Sequence, residues 1–225
     1  MRINEIFYSI QGEGKTIGHP RLFIRLSGCT LNCSFCDSKY HIRNTNYDLL
    51  KDEVLTKYQN LNTGERTPIY DKWCITGGEP LLQQDEIIKL IRIYKPSWVE
   101  IETNGTLPAK PELKKLVNLF NISPKQQDEQ EDGRKTDVKI FSTNKLLPMK
   151  DYVVKFVYGN NSDEFIKSTI KKHKLPLDKI YIMPKGKTKV EQERQMPKAI
   201  DFALKNNFNL SPRIQVLVWN KKRSV

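Results

Sequence analysis

The chain has 225 residues, of which 38% are hydrophobic, and its 38 Lys plus Arg against 26 Asp plus Glu give a formal net charge of +12. This length fits one α/β domain with a buried core, and the composition excludes a collagen-like or wholly disordered chain. The sequence shows neither a long apolar run nor a signal-peptide pattern. We therefore expect no membrane span, no contact with a membrane and a cytoplasmic location.

Apolar, β-branched runs alternate with segments of helical period along the chain. In chain order the predicted elements are a strand at 22–26, a helix at 47–60, a strand at 69–76, a helix at 84–95, strands at 98–103, 117–122 and 152–158, a helix at 163–174, a strand at 179–183, a helix at 189–207 and a strand at 213–219. This alternation predicts a mostly parallel sheet within one domain, 1–225. The segment 126–137 is almost wholly polar and is predicted to be a loop or insertion. Pro197 leaves open whether the 189–207 helix begins there or kinks there.

Three of the four cysteines lie within eight residues, in the segment GCTLNCSFCDS. Cys29, Cys33 and Cys36, called the cysteine triad below, have the spacing C-x3-C-x2-C and follow the strand at 22–26. Three thiolates can hold an iron–sulfur cubane and leave one iron open to another ligand. A zinc site is the alternative, because His41 could supply a fourth ligand. Cys74 stands alone inside a strand and is interpreted as a core residue.

The triad spacing with Phe35 before the last cysteine resembles the radical S-adenosylmethionine (SAM) enzymes, in which the open iron binds the amino and carboxyl groups of SAM. TGGEP, residues 76–80, follows the next predicted strand. Its glycines allow a ligand to approach the backbone closely. ETNG (102–105) and SPK (123–125) end the following strands, at the edge where parallel barrels build their sites.

The segments EIFYSIQGEG, FIRLSGC, CDS, TGGEP, ETNG, SPK, VVKFV and SPRIQVLVWNKKR together resemble the 7-carboxy-7-deazaguanine synthase family. The resemblance implies a homodimer of open, truncated (β/α) partial TIM barrels of the radical SAM type. It implies a lyase that converts 6-carboxy-5,6,7,8-tetrahydropterin to 7-carboxy-7-deazaguanine with loss of ammonia, in queuosine-type 7-deazapurine biosynthesis. The implied cofactors are a [4Fe-4S] cluster, SAM and Mg²⁺, and the implied reductant is a flavodoxin-like protein. Ser38 stands where the family commonly has Thr.

The resemblance also implies roles for individual residues. The cysteine triad would hold the cluster, and Ser38 would bind Mg²⁺. Residues that would line SAM are Phe35, Cys36, Asp37, Gly78, Glu79, Ser123, Pro124 and Lys125. Residues that would contact the substrate are Ile10, Gln11, Gly12, Glu13, Arg25 and Thr76. Glu13, Arg25 and Glu102 are the predicted catalytic residues. The guanidinium of Arg25 matches the substrate carboxylate, and Gln11 and Glu13 offer edges that could read a 2-amino-4-oxopyrimidine ring.

Two other functions remain open at this point. A glycyl-radical activating enzyme would carry the same C-x3-C-x2-C spacing, although the QGEG segment at 11–14 argues against it. A zinc-bearing, basic nucleic-acid-binding module would explain the charge and the cysteines. The lysines of 163–174 are better interpreted as a solvated helix face, so we expect no direct binding of nucleic acid.

Overall fold

The structure is a computed structural model, and it describes residues 1–33, 36, 71–126 and 151–222. The described strands form one sheet of eight, in chain order: β1 (Ile3–Ile10), β2 (Pro20–Leu26), β3 (Lys72–Gly77), β4 (Trp98–Thr103), β5 (Leu119–Ile122), β6 (Tyr152–Tyr158), β7 (Ile180–Pro184) and β8 (Asn209–Leu210). β1 pairs antiparallel with β2, and every later pair is parallel. β1 and β8 lie at the two ends of the strand order and are not paired with each other. The sheet is therefore open, which confirms the predicted α/β partial barrel.

The described α-helices are α1 (Gln84–Tyr94), α2 (Pro111–Leu116), α3 (Asp163–His173), α4 (Lys189–Asn206) and α5 (Ile214–Trp219). α3 is capped at its N-terminus by Ser162, whose hydroxyl accepts a hydrogen bond of 3.2 Å from the Phe165 amide. α4 begins with a capping box at Thr188 and runs through Pro197, so the helix does not start at that proline. None of the described helices is both long and apolar enough to cross a membrane.

Side chains alternate between the two faces of the sheet. On β2 to β6 one set packs into the apolar cores, among them Ile24, Ile75, Ile101, Phe120 and Phe156. Their sequence neighbours therefore point to the opposite, concave face. There the strands carry polar groups, and this face supplies the site described below.

The predicted strands at 98–103 and 152–158 match β4 and β6. The N-terminal strand β1 and the short β8 and α2 were not predicted. The predicted strand at 213–219 is wrong, because Ile214–Trp219 is a helix. The β-branched run favours a strand on propensity alone, but the Ile214 amide donates a 3.1 Å hydrogen bond to the Gly12 carbonyl, and Val216 is buried, so tertiary contacts decide the conformation. The 47–60 helix and most of the 126–137 loop lie outside the described residues.

Candidate active site

The carboxyl ends of the strands surround an open cavity of about 1000 Å³. One row of the sheet supplies its floor, because Arg25 pairs in register with Thr76 and Glu102 pairs with Asn121. All four line the cavity, as does Lys155 on β6. This volume suits one or two small molecules.

The cysteine triad lines the same cavity. The three thiols are not in disulfide bonds and are partly buried. The Cys36 amide donates a 3.1 Å hydrogen bond to the Cys33 carbonyl, which closes the loop between these two cysteines. Burial raises the pKa of the Cys29 thiol to about 11. The hydrogen bond that Cys29 Sγ accepts from the Leu31 amide opposes this shift. Three sulfur donors on one cavity wall fit the ligand set of an iron–sulfur cluster.

The TGGEP turn brings the backbone of β3 against that of β2. Gly77 has φ of +130°, and a Cβ there would lie 2.2 Å from the Leu26 carbonyl oxygen, so this position requires glycine. The Gly78 amide donates to the same oxygen at 3.1 Å. Gly77 and Gly78 line the cavity, where they present backbone and no side chain.

Glu79, a predicted cofactor residue, is fully buried and holds the neighbouring loop. Its carboxylate accepts hydrogen bonds from the Leu81 amide at 2.9 Å, the Thr103 hydroxyl at 2.7 Å and the Asn104 amide at 2.8 Å. Burial raises its pKa despite these donors. In this arrangement Glu79 positions the ends of β3 and β4 and is not among the residues that line the cavity.

Glu13 lies on the QGEG loop and is surrounded by Lys155, Arg213 and Gln215 from other parts of the chain. We call these four side chains the Glu13 hub. Glu13 Oε1 accepts hydrogen bonds from Arg213 Nε at 2.8 Å and Gln215 Nε2 at 2.7 Å, and Glu13 Oε2 pairs with Lys155. Burial would raise the pKa of Glu13, but the charges of Lys155 and Arg213 hold it well below its ordinary value. The pKa of Lys155 is raised, because Glu13 and Glu102 outweigh the effect of its burial. Both groups are therefore ionised at neutral pH.

Gln11 links the loop to the sheet. Its Nε2 donates to Glu100 at 3.1 Å and Glu102 at 3.3 Å and approaches Cys74 Sγ at 3.5 Å. Cys74, Glu100 and Glu102 place ligand atoms within 4.8 Å of one another, which is the spacing of a metal site. The Gln11 N–H groups already fill this space, and Arg21 Nε lies 3.7 Å from Glu100, so the group is a hydrogen-bonded cluster. Cys74 is fully buried, which confirms its core placement.

Arg25 and Glu102 line the cavity from neighbouring regions of the sheet. Arg25 Nε donates to Glu5 at 2.7 Å, and its guanidinium lies over the Phe7 ring at 5.7 Å. Glu102 Oε2 accepts the Thr76 hydroxyl at 2.7 Å, and its Oε1 lies 3.9 Å from Lys155 Nζ. Arg25 and Glu102 are therefore each held by a side chain of the next strand.

The SPK segment follows β5 at the rim of the cavity. Lys125 Nζ donates to the Ser123 hydroxyl at 2.6 Å and carbonyl at 2.9 Å, and both residues line the cavity. The Pro124 carbonyl faces away and accepts from Asn161 at 3.3 Å. Ile10 and Gly12 complete the predicted set that lines the cavity. Phe35, Asp37, Ser38 and His41 lie outside the described residues.

Several residues of the site were not predicted to act there, and four of them are polar or charged side chains that the predicted set lacks. They are Lys155, Asn121, Arg213 and Lys187, whose Nζ donates to the Cys36 carbonyl at 3.1 Å. A signal for the first two was available, since both are polar residues inside apolar strands, alternating with side chains that enter the core. Polar side chains that alternate with core residues in this way indicate a cavity with a polar lining on the other face of the sheet. No local signal joins residue 213 to residue 13.

Comparison with known proteins agrees with this geometry. Residues 23–135 match the Radical SAM superfamily. The chain is similar to the 7-carboxy-7-deazaguanine synthases of Pyrobaculum aerophilum (30% identity over 99% of this chain and 96% of the relative), Halobacterium salinarum (31%, 97% and 90%) and Clostridium acetobutylicum (32%, 100% and 99%). Its fold is similar to the crystal structure of QueE from Escherichia coli, with a TM-score of 0.63 and 22% identity over 93% of this chain and 92% of that chain. The chain therefore belongs to the radical SAM superfamily and, within it, to the 7-carboxy-7-deazaguanine synthase family.

Proposed function

We propose that this radical SAM enzyme converts 6-carboxy-5,6,7,8-tetrahydropterin to 7-carboxy-7-deazaguanine, with release of ammonia. The observation that carries the proposal is the single cavity that joins the cysteine triad to Gln11, Glu13, Arg25 and Glu102. A thiol-lined wall beside a polar, charged floor suits one cofactor that generates a radical and one polar substrate. Family membership favours this activity over a glycyl-radical activating enzyme or a zinc-bearing nucleic-acid module.

The residues present fit the cofactors. The cysteine triad would hold a [4Fe-4S] cluster, and the backbone of Gly77 and Gly78 with the Ser123 and Lys125 side chains would line SAM. When bound, the cluster and SAM supply the organic radical that removes a hydrogen atom from the substrate. Lys187 would keep the cluster loop against the segment before α4, through its bond to the Cys36 carbonyl.

The substrate would lie between the QGEG loop and the floor of the sheet. Arg25, oriented by Glu5 and Phe7, would receive the substrate carboxylate. Glu102, held by Thr76, would accept a hydrogen bond from a substrate N–H or from the SAM ribose. The Glu13 hub would fix the loop that closes over the ring, because three donors from distant parts of the chain converge on one carboxylate.

Three further parts of the proposal depend on residues or chains that the structure does not describe. Ser38 would provide a hydroxyl to Mg²⁺, whose other ligands would be water and substrate oxygens. A flavodoxin-like protein would deliver the electron. The active form would be a homodimer.

The test is an anaerobic assay of the reconstituted protein with SAM, reductant, Mg²⁺ and the pterin, read by mass spectrometry. We expect 7-carboxy-7-deazaguanine and ammonia in equal amounts. Iron and sulfide analysis is the control, with about four of each per chain expected for a cubane. A fully loaded protein that forms no deazaguanine would refute the proposal, and one zinc without sulfide would refute the cluster.

A further inference from the structure

The side chain of Asn121 is an unexplained polar group in the floor of the cavity. Asn121 lies in the middle of β5 and is 1% exposed. Neither its Oδ1 nor its Nδ2 has a hydrogen-bond partner within the described part of the chain, although the residue lines the cavity. A buried amide without partners is costly and rare in proteins. The missing partner is therefore to be sought in the cavity.

The surroundings of Asn121 place its amide beneath the QGEG loop. Glu102 is its register partner on β4. Gly14 of the QGEG loop packs on the amide, since a Cβ at Gly14 would lie 2.4 Å from Asn121 Nδ2. The Asn121 amide thus lies between the floor of the sheet and the loop that we assign to the substrate.

The two side chains that the sequence assigns to reading the substrate ring are already engaged. Gln11 donates to Glu100 and Glu102, and its Oε1 accepts the Glu13 amide at 3.1 Å. Both carboxylate oxygens of Glu13 are also engaged. Lys155 pairs with Oε2, and Arg213 and Gln215 donate to Oε1. Asn121, by contrast, has no partner for its donor or its acceptor among the residues that the structure describes.

We propose that Asn121 is a specificity-determining residue that hydrogen-bonds to the substrate through both halves of its amide. The ligand edge that matches it is a ring N–H beside a carbonyl oxygen, because an asparagine amide pairs with such an edge through one donated and one accepted bond. This inference rests on the proposed function, since the 2-amino-4-oxopyrimidine ring of the pterin presents that edge. Gln11 and Glu13 then act as positioning residues for the loop.

The test compares wild-type holoenzyme with Asn121→Leu, which has nearly the same shape but no hydrogen-bonding groups. We measure KM for the pterin, Kd for 7-carboxy-7-deazaguanine in the presence of SAM, Kd for SAM, and Tm. We expect KM and the product Kd to rise about tenfold or more, the loss of one or two hydrogen bonds. The Kd for SAM should not change, and Tm should stay the same or rise, because the substitution removes no hydrogen bond to any of the described residues.

Asn118→Leu is the matched control, since Asn118 immediately precedes the first residue of the same strand. Asn118 Oδ1 accepts a 2.8 Å hydrogen bond from the Val99 amide, so its loss should lower Tm and leave KM unchanged. Asn121→Asp is the second variant and guards against a folding defect of the leucine variant. It keeps the shape, replaces the amide donor by an acceptor and adds a negative charge beside Glu102, so its KM should also rise.

Several results would overturn the inference. One is that KM and the product Kd of both Asn121 variants equal those of the wild type. Another is a change confined to the affinity for SAM. The third is a fall in Tm with unchanged ligand affinities. A failure of the proposed function looks different, because wild-type holoenzyme would then neither bind 7-carboxy-7-deazaguanine nor convert the pterin.

Discussion

Replacing Glu13 by glutamine tests how far the folded protein depends on the Glu13 hub. The substitution keeps the shape of the side chain and removes the negative charge that faces Lys155 and Arg213. The side chains of Glu13, Lys155 and Arg213 are 12%, 5% and 15% exposed, so water screens little of this interaction. The positive charges of Lys155 and Arg213 would then lie close together with less negative charge to offset their repulsion.

The size of the effect follows from these contacts. Removing one partner of a buried ion pair costs about 3–5 kcal/mol. Glutamine still offers one acceptor oxygen, and Glu102 remains 3.9 Å from Lys155 Nζ, so we expect the lower end. A loss of about 3 kcal/mol in the free energy of unfolding lowers Tm by about 9 °C for a chain of this length.

Anaerobic thermal and urea unfolding of the holoprotein would measure this loss. Glu112→Gln is the matched control, because Glu112 pairs with Arg92 on the surface, where their side chains are 44% and 66% exposed. A pair of this kind contributes about 0–1 kcal/mol. If Glu13→Gln loses no more stability than Glu112→Gln, the reasoning about the hub is wrong.

The same variant has a pH signature. Burial acts to raise the pKa of Glu13, but Lys155 and Arg213 hold it below its ordinary value of 4.5. A carboxylate with a lowered folded-state pKa contributes stability that is present above its unfolded pKa and is lost as the pH falls below it. We therefore expect the stability difference between wild type and Glu13→Gln to shrink below about pH 4.5. A difference that stays constant from neutral pH to about pH 3 would contradict this expectation.

Three further predictions concern the cofactors and the substrate carboxylate. Alanine at any position of the cysteine triad should abolish both bound iron and turnover, whereas Cys74→Ala should keep both, as iron analysis and the product assay will show; equal loss in Cys74→Ala would mean that the ligand set is misassigned. Arg25→Lys keeps the charge but loses the planar pair of donors, so KM for the pterin should rise about tenfold while the Kd for SAM stays the same; unchanged kinetics would remove Arg25 from the site. Ser38→Ala should lower turnover and weaken the response to added Mg²⁺ at normal iron content; identical Mg²⁺ titrations of variant and wild type would show that Ser38 is not a ligand.

The sequence predicts the parts of this protein that local patterns encode. The cysteine spacing and the glycine turn at 76–80 identify the chemistry, and alternating apolar runs identify β4 and β6. The strand β1 was missed because it lies at the end of the sheet and is only half buried along most of its length, which leaves a weak apolar signal.

Contacts between distant residues could not be predicted in this way. α5 carries a β-branched sequence that favours a strand, and its helical form depends on contacts with the QGEG loop. The hydrogen-bond partners of Gln11 and Glu79 were likewise not predicted. Their polar groups are satisfied inside the protein, which only the three-dimensional neighbours reveal.

The Glu13 hub also bears on the order in which the chain can fold. Glu13 is separated from Lys155 by 142 residues, from Arg213 by 200 and from Gln215 by 202. Pairings of such long sequence separation form late, because the intervening chain must first be brought together. During synthesis the cysteine triad leaves the ribosome well before the partners of Glu13 do. The loop assigned to the cluster thus exists in the nascent chain before the loop assigned to the substrate can be fixed, and a chain that has not yet reached residue 213 lacks two of the three donors to Glu13.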